Sequence, residues 1–491
     1  PEVIRYRQEI LQDLLVFPAL AAALERLMPE LAALLQPGGT AWPGESPLMP
    51  TITRLSELDR YVAAADRLCE TLAAAPDLRS TGLCRLRAAI TAISADPDVV
   101  ALRAELPQMR ELIGQASSVT IGLNLGRDLQ PEGATIVELN HYKFKGTRSL
   151  LGRLLPGTTG AAPAASGSLH EVGPPALRRD SQLFKDLQRL LESTTAPLLK
   201  ALGRYRDISV GPLGGLEREL AFYTGAAALI RRLERAGLAV CRPEIAPAAE
   251  RACEVVGSAN LSLALQLLAE RSTGFVADRL ITNDVDYDGD TCLLVVTGPN
   301  RGGKTTFCRA IGQAQLLFQS GLFVPGTAAR LSPVDGIWTH FPLPETDRPG
   351  AGRFDEEVQR LRRIFAEATG GSLILLNEPL TSTAERDAVP IATDMVRALQ
   401  VLGARSVLIT HLHDLALAIP ELNHHGPANN GIRSLIALAT EEQGGVRGTF
   451  RIVPGLPAGH SYAADIARQH GMTFAQLQQL LADRAVGSRR E

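Results

Sequence analysis

The sequence predicts a mostly α-helical block over residues 1–242 with a small β insertion, followed over 243–491 by an α/β domain that closes with a C-terminal helix. Three features carry that prediction. Leucines recur at spacings of three and four through the N-terminal part. The period changes to two between Val119 and Leu125. Short apolar runs such as Thr291–Thr297, rich in β-branched residues, lead straight into a turn, as buried parallel strands do.

The first helices carry Leu11, Leu14, Leu15, Leu20, Leu24, Leu27 and Leu31, with Pro18 and Pro29 as punctuation. The Gly/Pro-rich stretch Gln36–Pro50 reads as a loop, and helical patterning resumes over Leu55–Leu72 and Val99–Ile113. Val119, Ile121, Leu123 and Leu125 then alternate with Thr120, Gly122 and Asn124, and Thr135, Val137 and Leu139 repeat the pattern after a turn at Gly126-Arg127-Asp128. That is a β-hairpin near 117–150. Behind it, Lys143, Lys145, Arg148 and Arg153 accompany Tyr142 and Phe144 in a stretch free of acids from His141 to Arg148. Two readings are open: a solvated edge whose lysines discourage aggregation, and a patch that contacts phosphates. Gly157–Pro175 has linker composition, and helices return over Ser181–Leu238.

Composition narrows the functional classes. Fifty basic residues against 53 acidic ones give a net charge of −3, so a whole-protein basic field for nucleic acid is absent and any DNA contact is local. Aromatics at 4% argue against stacking platforms for single strands. The six cysteines form no Cys-x-x-Cys pair, which reads as buried reduced thiols. No stretch approaches the roughly 18 apolar residues of a membrane span, and no secretory signal layout is visible at Pro1–Arg5. The expectation is a cytoplasmic protein of two domains.

The chemistry begins after Thr297. Gly298-Pro299-Asn300-Arg301-Gly302-Gly303-Lys304-Thr305 fits the phosphate-binding pattern G-x-x-x-x-G-K-[ST], and Phe307, Ile311, Ala314 and Leu317 continue at helical spacing. Glycines let backbone amides turn inward around phosphates, and a helix start adds partial positive charge. Lys304 is the expected point charge on the β- and γ-phosphates of ATP, with Thr305 a hydroxyl ligand for Mg2+. A second strand, Ser372–Leu376, ends in Asn377-Glu378. An acid at the first of these positions holds the Mg2+ water shell in P-loop ATPases, and a following Glu positions the attacking water. Asn377 keeps an amide oxygen but not the charge, so weaker Mg2+ binding is expected, while Glu378 is the candidate catalytic carboxylate. A third strand, Arg405–Thr410, ends at His411, which is either a structural histidine or a sensor of the γ-phosphate.

These segments together resemble the MutS DNA mismatch-repair family. Gly298–Thr306 is similar to its G-P-N-x-G-G-K-[ST]-T loop, Phe323-Val324-Pro325 and Leu331–Ile337 to its V-P-A and I-G-P-[IV]-D-x-I segments, and Gly352–Glu357 stands at its S-T-F-x-x-E signature. Leu380–Thr383 resembles G-T-S-T, Thr410-His411 the T-H switch, Ser461–Arg468 the S-Y-G segment, and Arg5–Leu15 the start of the helical core. The resemblance implies an ABC-type ATPase domain, helical levers with a clamp-like hairpin, ATP and Mg2+ as cofactors, DNA as partner and a homodimer. It implies that Gly298, Pro299, Asn300, Gly302, Gly303, Lys304, Thr305 and Thr306 hold nucleotide, with Leu280 or Ile281 in place of the adenine-stacking aromatic. Gly352 stands where the signature serine contacts the γ-phosphate from a partner subunit, and Asn377 replaces the Walker-B acid. A mismatch-reading wedge and a nuclease domain are not recognised, so repair without mismatch reading is expected. The functional expectation is a DNA-binding ATPase that gates a dimeric clamp; the alternative is a nucleotide-gated switch with little turnover, motivated by Asn377 and Gly352.

Overall fold

The computed structural model describes residues 1–35, 49–114, 118–125, 131–140, 196–270, 275–342, 353–442, 445–457 and 471–487, with single positions 127, 142 and 189. Lys143, Lys145, Arg148, Arg153, Gly352, the linker 157–175 and most of the loop at Gln36–Pro50 lie outside them. The chain forms two compact units: Val16–Arg79 with Leu83–Thr224, and Pro1–Leu15 with Ser80–Gly82 and Gly225–Glu491. The blocks 1–242 and 243–491 read from the sequence divide the chain differently.

The first unit is helical. It contains α2 (Pro18–Leu35), α3 (Met49–Ala73), most of α4 (Thr81–Ala95) and α5 (Pro97–Gly114). Leu20, Leu24, Leu27, Leu31 and Leu34 form the buried face of α2, as the spacing predicts. Pro18 opens that helix, but Pro29 lies inside it. The buried leucines on both sides of Pro29 outweigh the one backbone bond that proline removes. Leu58, Leu68, Leu72, Ile90 and Leu102 fill the core of this unit. Arg54 donates to the carbonyls of Tyr205 and Ile208, and Arg103 pairs with Asp66. The alternating runs pair antiparallel as β1 (Ser118–Leu125) and β2 (Pro131–Asn140).

The second unit is built on a six-stranded sheet. Its order is β10 (Ile337–His340), β11 (Leu373–Asn377), β12 (Arg405–Ile409), β7 (Thr291–Thr297), β13 (Gly431–Glu442) and β14 (Gly445–Pro454). All neighbours are parallel except the β13–β14 hairpin. A smaller sheet pairs β4 (Glu244–Ile245), β9 (Ala328–Leu331), β5 (Cys253–Ser258) and β6 (Asn283–Asp286), and β3 (Val240–Cys241) pairs with β8 (Val324–Pro325).

Both faces of the main sheet are covered, which explains why its strands read as continuous apolar runs. Leu293, Val295, Ile374, Leu376 and Leu408 face Leu361 and Ile364 of α9 (Arg353–Glu367) and Val396 and Leu399 of α10 (Glu385–Leu402). Leu294, Val296, Leu375, Val407 and Ile409 face Phe307, Ile311 and Phe318 of α8 (Lys304–Gln319), together with Val255 and Val285 of the smaller sheet.

Most of α1 (Glu2–Val16) belongs to this second unit. Ile4 sits in its core, Gln8 donates to the carbonyl of Pro243 at 3.1 Å, and Asp13 accepts the Ser80 amide at 2.8 Å. Among the described residues no helix is long and apolar enough to cross a membrane.

Phe318 is fully buried between sheet and helix, whereas Val401 is 78% exposed. Phe318→Ala is expected to destabilise this unit by about 3–5 kcal/mol, and Val401→Ala by less than about 0.5 kcal/mol. Urea unfolding followed by far-UV circular dichroism measures both; equal midpoints for the two variants would contradict the packing described.

Candidate active site

The loop between β7 and α8 owes its path to glycine. Gly298 and Gly303 hold φ of +126° and +94°, in the left-handed half that glycine enters without cost. A Cβ on Gly298 would also lie 2.9 Å from the Cβ and carbonyl oxygen of Ala437 on β13. The loop therefore passes flush against the neighbouring strand. α8 starts at Lys304, and its N-cap, Gly303, offers no side-chain acceptor. The first amides of the helix are left to an external anion. Lys304 is buried, and its ammonium donates to the carbonyls of Gly298 at 2.8 Å and Pro299 at 3.0 Å. Burial lowers its pKa, and the nearby Glu378 carboxylate works the other way.

Parallel pairing delivers the remaining groups. The Thr410 amide bonds to the Val296 carbonyl at 3.1 Å and the Glu378 amide to the Ile409 carbonyl at 2.9 Å, so the ends of β7, β12 and β11 stand side by side. Thr305 donates its hydroxyl to Oδ1 of Asn377 at 2.9 Å. Nε2 of His411 lies 2.9 Å from Oε1 of Glu378. The His411 hydrogen bond is the main reason that the Glu378 carboxyl sits below its usual pKa; His411 and Lys304 add to it electrostatically, and burial opposes. Lys304, Thr305, Asn377, Glu378 and His411, picked out at separate points of the sequence, thus meet at one loop. Among the described residues no group of three His, Cys, Asp or Glu side chains is placed to hold a metal. The neighbouring oxygens of Thr305 and Asn377 suit a hard cation such as Mg2+, which Thr305 would hold directly and Asn377 through a water.

Beside the loop lies a cavity of about 430 Å3. Asn300, Gly302, Gly303, Lys304, Thr305, Thr306 and Glu378 line one side. Leu263 and Leu267 of α7 (Leu261–Ala269), Ile281 and Phe450 line the apolar side. Of the pair Leu280 and Ile281, Ile281 lines the cavity and Leu280 is buried with Leu233, Ala264 and Val276. Sequence reasoning missed Phe450, Asn283, Asn260 and α7. Asn283 donates to the Phe450 carbonyl at 3.0 Å and accepts from the Ile452 amide at 2.7 Å, which pins β14 to the cavity wall. Asn260 caps α7 through the Leu263 amide and donates to the carbonyl of Thr306. Only the Asn260 cap, a polar residue before an apolar run, left a local signal.

A phosphate-type loop between a buried parallel strand and a helix, facing two further strand ends, defines a P-loop nucleotide-binding domain. Residues 294–476 match the family MutS domain V, and residues 1–236 match the family MutS2 N-terminal domain. The chain belongs to the MutS family. It is 35% identical to the DNA mismatch repair protein MutS of Thermus thermophilus over 206 residues, 42% of this chain and 23% of that one. The MutS protein of Thermus aquaticus is 35% identical over 228 residues, 46% of this chain and 26% of the relative, and that of Myxococcus xanthus 33% over 222 residues, 43% and 24%. The matched stretch thus spans about a quarter of each of these relatives.

Because the folded Glu378 pKa is depressed, its contact with His411 stabilises the fold above the ordinary glutamate pKa, and that contribution is lost as pH falls through the folded value. His411→Ala is expected to raise the Glu378 pKa in a carboxyl 13C titration and to cost stability at neutral pH but not in acid. A stability deficit independent of pH would sink the assignment of the Glu378 shift to its contact with His411.

Proposed function

We propose that the chain binds and hydrolyses ATP with Mg2+, and that nucleotide state gates its grip on DNA. The convergence of Lys304, Thr305, Asn377, Glu378 and His411 at one phosphate-type loop carries the reading. The loop amides and Lys304 bind the β- and γ-phosphates, and Thr305 and Asn377 hold Mg2+, Asn377 through a water. Bound Mg2+ neutralises charge on the phosphates. Glu378 would orient the attacking water and accept its proton; His411, just past the end of β12, would fix the carboxylate through their hydrogen bond. Phe450, Ile281 and the α7 leucines enclose the base.

DNA as partner rests on the family and on relatives named as DNA mismatch repair proteins. The basic residues Lys143, Lys145, Arg148 and Arg153 are proposed to contact the backbone of duplex or branched DNA, with the helical unit as lever and the chain as a homodimer. Repair or recombination is the proposed setting.

One observation favours a second reading, a switch with little turnover. Asn377 is neutral and already accepts the Thr305 hydroxyl, so Mg2+ meets a site without fixed negative charge there. Steady-state ATP hydrolysis with Mg2+, with and without linear and branched DNA, separates the two. Under the first reading Glu378→Gln and Lys304→Ala lower kcat by about a hundredfold or more, and Asn377→Asp tightens Mg2+ binding. No turnover above Lys304→Ala, with ATP still bound, selects the switch. Reversal of Lys143, Lys145 and Arg148 to Glu is expected to abolish DNA binding; unchanged binding with an unchanged salt dependence would remove that patch from the proposal.

A further inference from the structure

Glu357 lies in the second turn of α9, away from the cavity, and is 6% exposed. A buried carboxylate needs partners for both oxygens, and Glu357 has three. Oε1 accepts the backbone amide of Leu380 at 2.8 Å and lies 3.2 Å from Nε2 of the buried His340, at the end of β10. Oε2 accepts the hydroxyl of Ser382. Two of these contacts fall on the loop that leaves Glu378. That loop is strained: Glu378 has φ +50° and Leu380 +66°, both non-glycine residues in the left-handed region. Such a conformation persists only where the surroundings over-determine it. Upstream, the Glu378 amide is fixed to the Ile409 carbonyl. Downstream, Leu380 is packed in the core and the Thr383 amide reaches the Leu380 carbonyl at 3.4 Å, while Glu357 accepts both the Leu380 amide and the Ser382 hydroxyl.

We propose that Glu357 is a positioning residue for hydrolysis: it clamps the Leu380–Ser382 loop so that Glu378 keeps the backbone that aims its carboxylate at His411 and the phosphate loop. Resting on the ATPase reading above, the assignment also makes α9 a handle on the hydrolytic carboxylate. A shift of the first turns of α9 moves Glu357, and the loop that Glu357 holds relaxes toward ordinary backbone angles. Lys304 and Thr305, carried by α8, hydrogen-bond to Gly298, Pro299 and Asn377 rather than to the Glu357 partners, so phosphate binding is expected to be largely independent of the clamp.

The test combines turnover, nucleotide affinity and hydrogen exchange on the full chain. Glu357→Ala is expected to lower kcat about 10- to 100-fold, the scale of lost hydrogen bonds to a charged group, with the Kd for ATP changed less than about threefold. Glu357→Gln, which keeps one carbonyl acceptor, is expected to recover part of kcat. In the same variants, amide exchange of residues 378–383 accelerates by about tenfold or more on removal of the Leu380 acceptor, while exchange at the start of α8 does not change. Unchanged exchange of 378–383 in a folded Glu357→Ala protein would overturn the proposal. Equal losses of kcat and ATP affinity would also overturn it, because they would mark a merely structural residue. Absent turnover in the wild type would defeat the ATPase reading alone; the exchange arm would still decide whether Glu357 holds the loop.

Discussion

The hydrogen-bonded position of β12 between β7 and β11 is the constraint on which the site rests. Side by side and parallel, these strands must end at the same edge of the sheet, where β7 ends in Thr297, β11 in Asn377, and β12 is followed by Thr410. The amides of Thr410 and Glu378 extend the ladder one step past the regular strands. A one-residue slip of β11 against β12 would exchange the faces of Leu375 and Leu376 and turn Asn377 away from Thr305 toward the apolar layer under α9 and α10. The alternating burial on the two faces, with Leu376 and Leu408 on one and Leu375 and Val407 on the other, resists such a slip at every step. Core packing and site geometry are in this sense one arrangement.

The second wall of the site is held by different means. Among the described residues the β13–β14 hairpin is the only antiparallel pair of the main sheet, and its register shifts between Ala437 and Ala439. Ala437 is the residue that lies against Gly298. Phe450, at φ +61°, stands across from Gly303 and is fixed through its carbonyl by Asn283, a residue of the other sheet. The phosphate side of the cavity therefore belongs to the parallel core, and the apolar side to α7, Ile281 and a hairpin tied down by side-chain bonds. The two sides need not have the same stability against local opening.

How much of this was legible depended on sequence distance. The phosphate loop is contiguous, and its glycines, lysine and threonine are required at fixed spacing, so one stretch of residues identified it. Asn377-Glu378 and His411 were legible because apolar runs of strand length end there. Phe450 and Asn283 were not: each sits in an ordinary strand, and what makes them part of the site is a hydrogen bond spanning 167 positions. Glu357 could be matched to a signature, but its three partners come from two other places in the chain, the end of β10 and the loop after Glu378. Leu280 and Ile281 remained an undecided pair until burial separated them. Pro29 misled because local proline chemistry says break, whereas the apolar face of α2 says continue.

The assignment of α1 to the second unit has a consequence for how the chain is made. Gln8 must find Pro243, 235 positions further on, and Ile4 must find a core completed by strands beyond residue 290, so these two side chains of α1 are made long before their final partners. The helical unit, whose described contacts are complete by Thr224, can condense earlier on the ribosome while that first segment waits. During that interval Ile4 lacks the core that it joins in the folded chain. Nascent chains stalled between the two units are where chaperone engagement with this protein should concentrate.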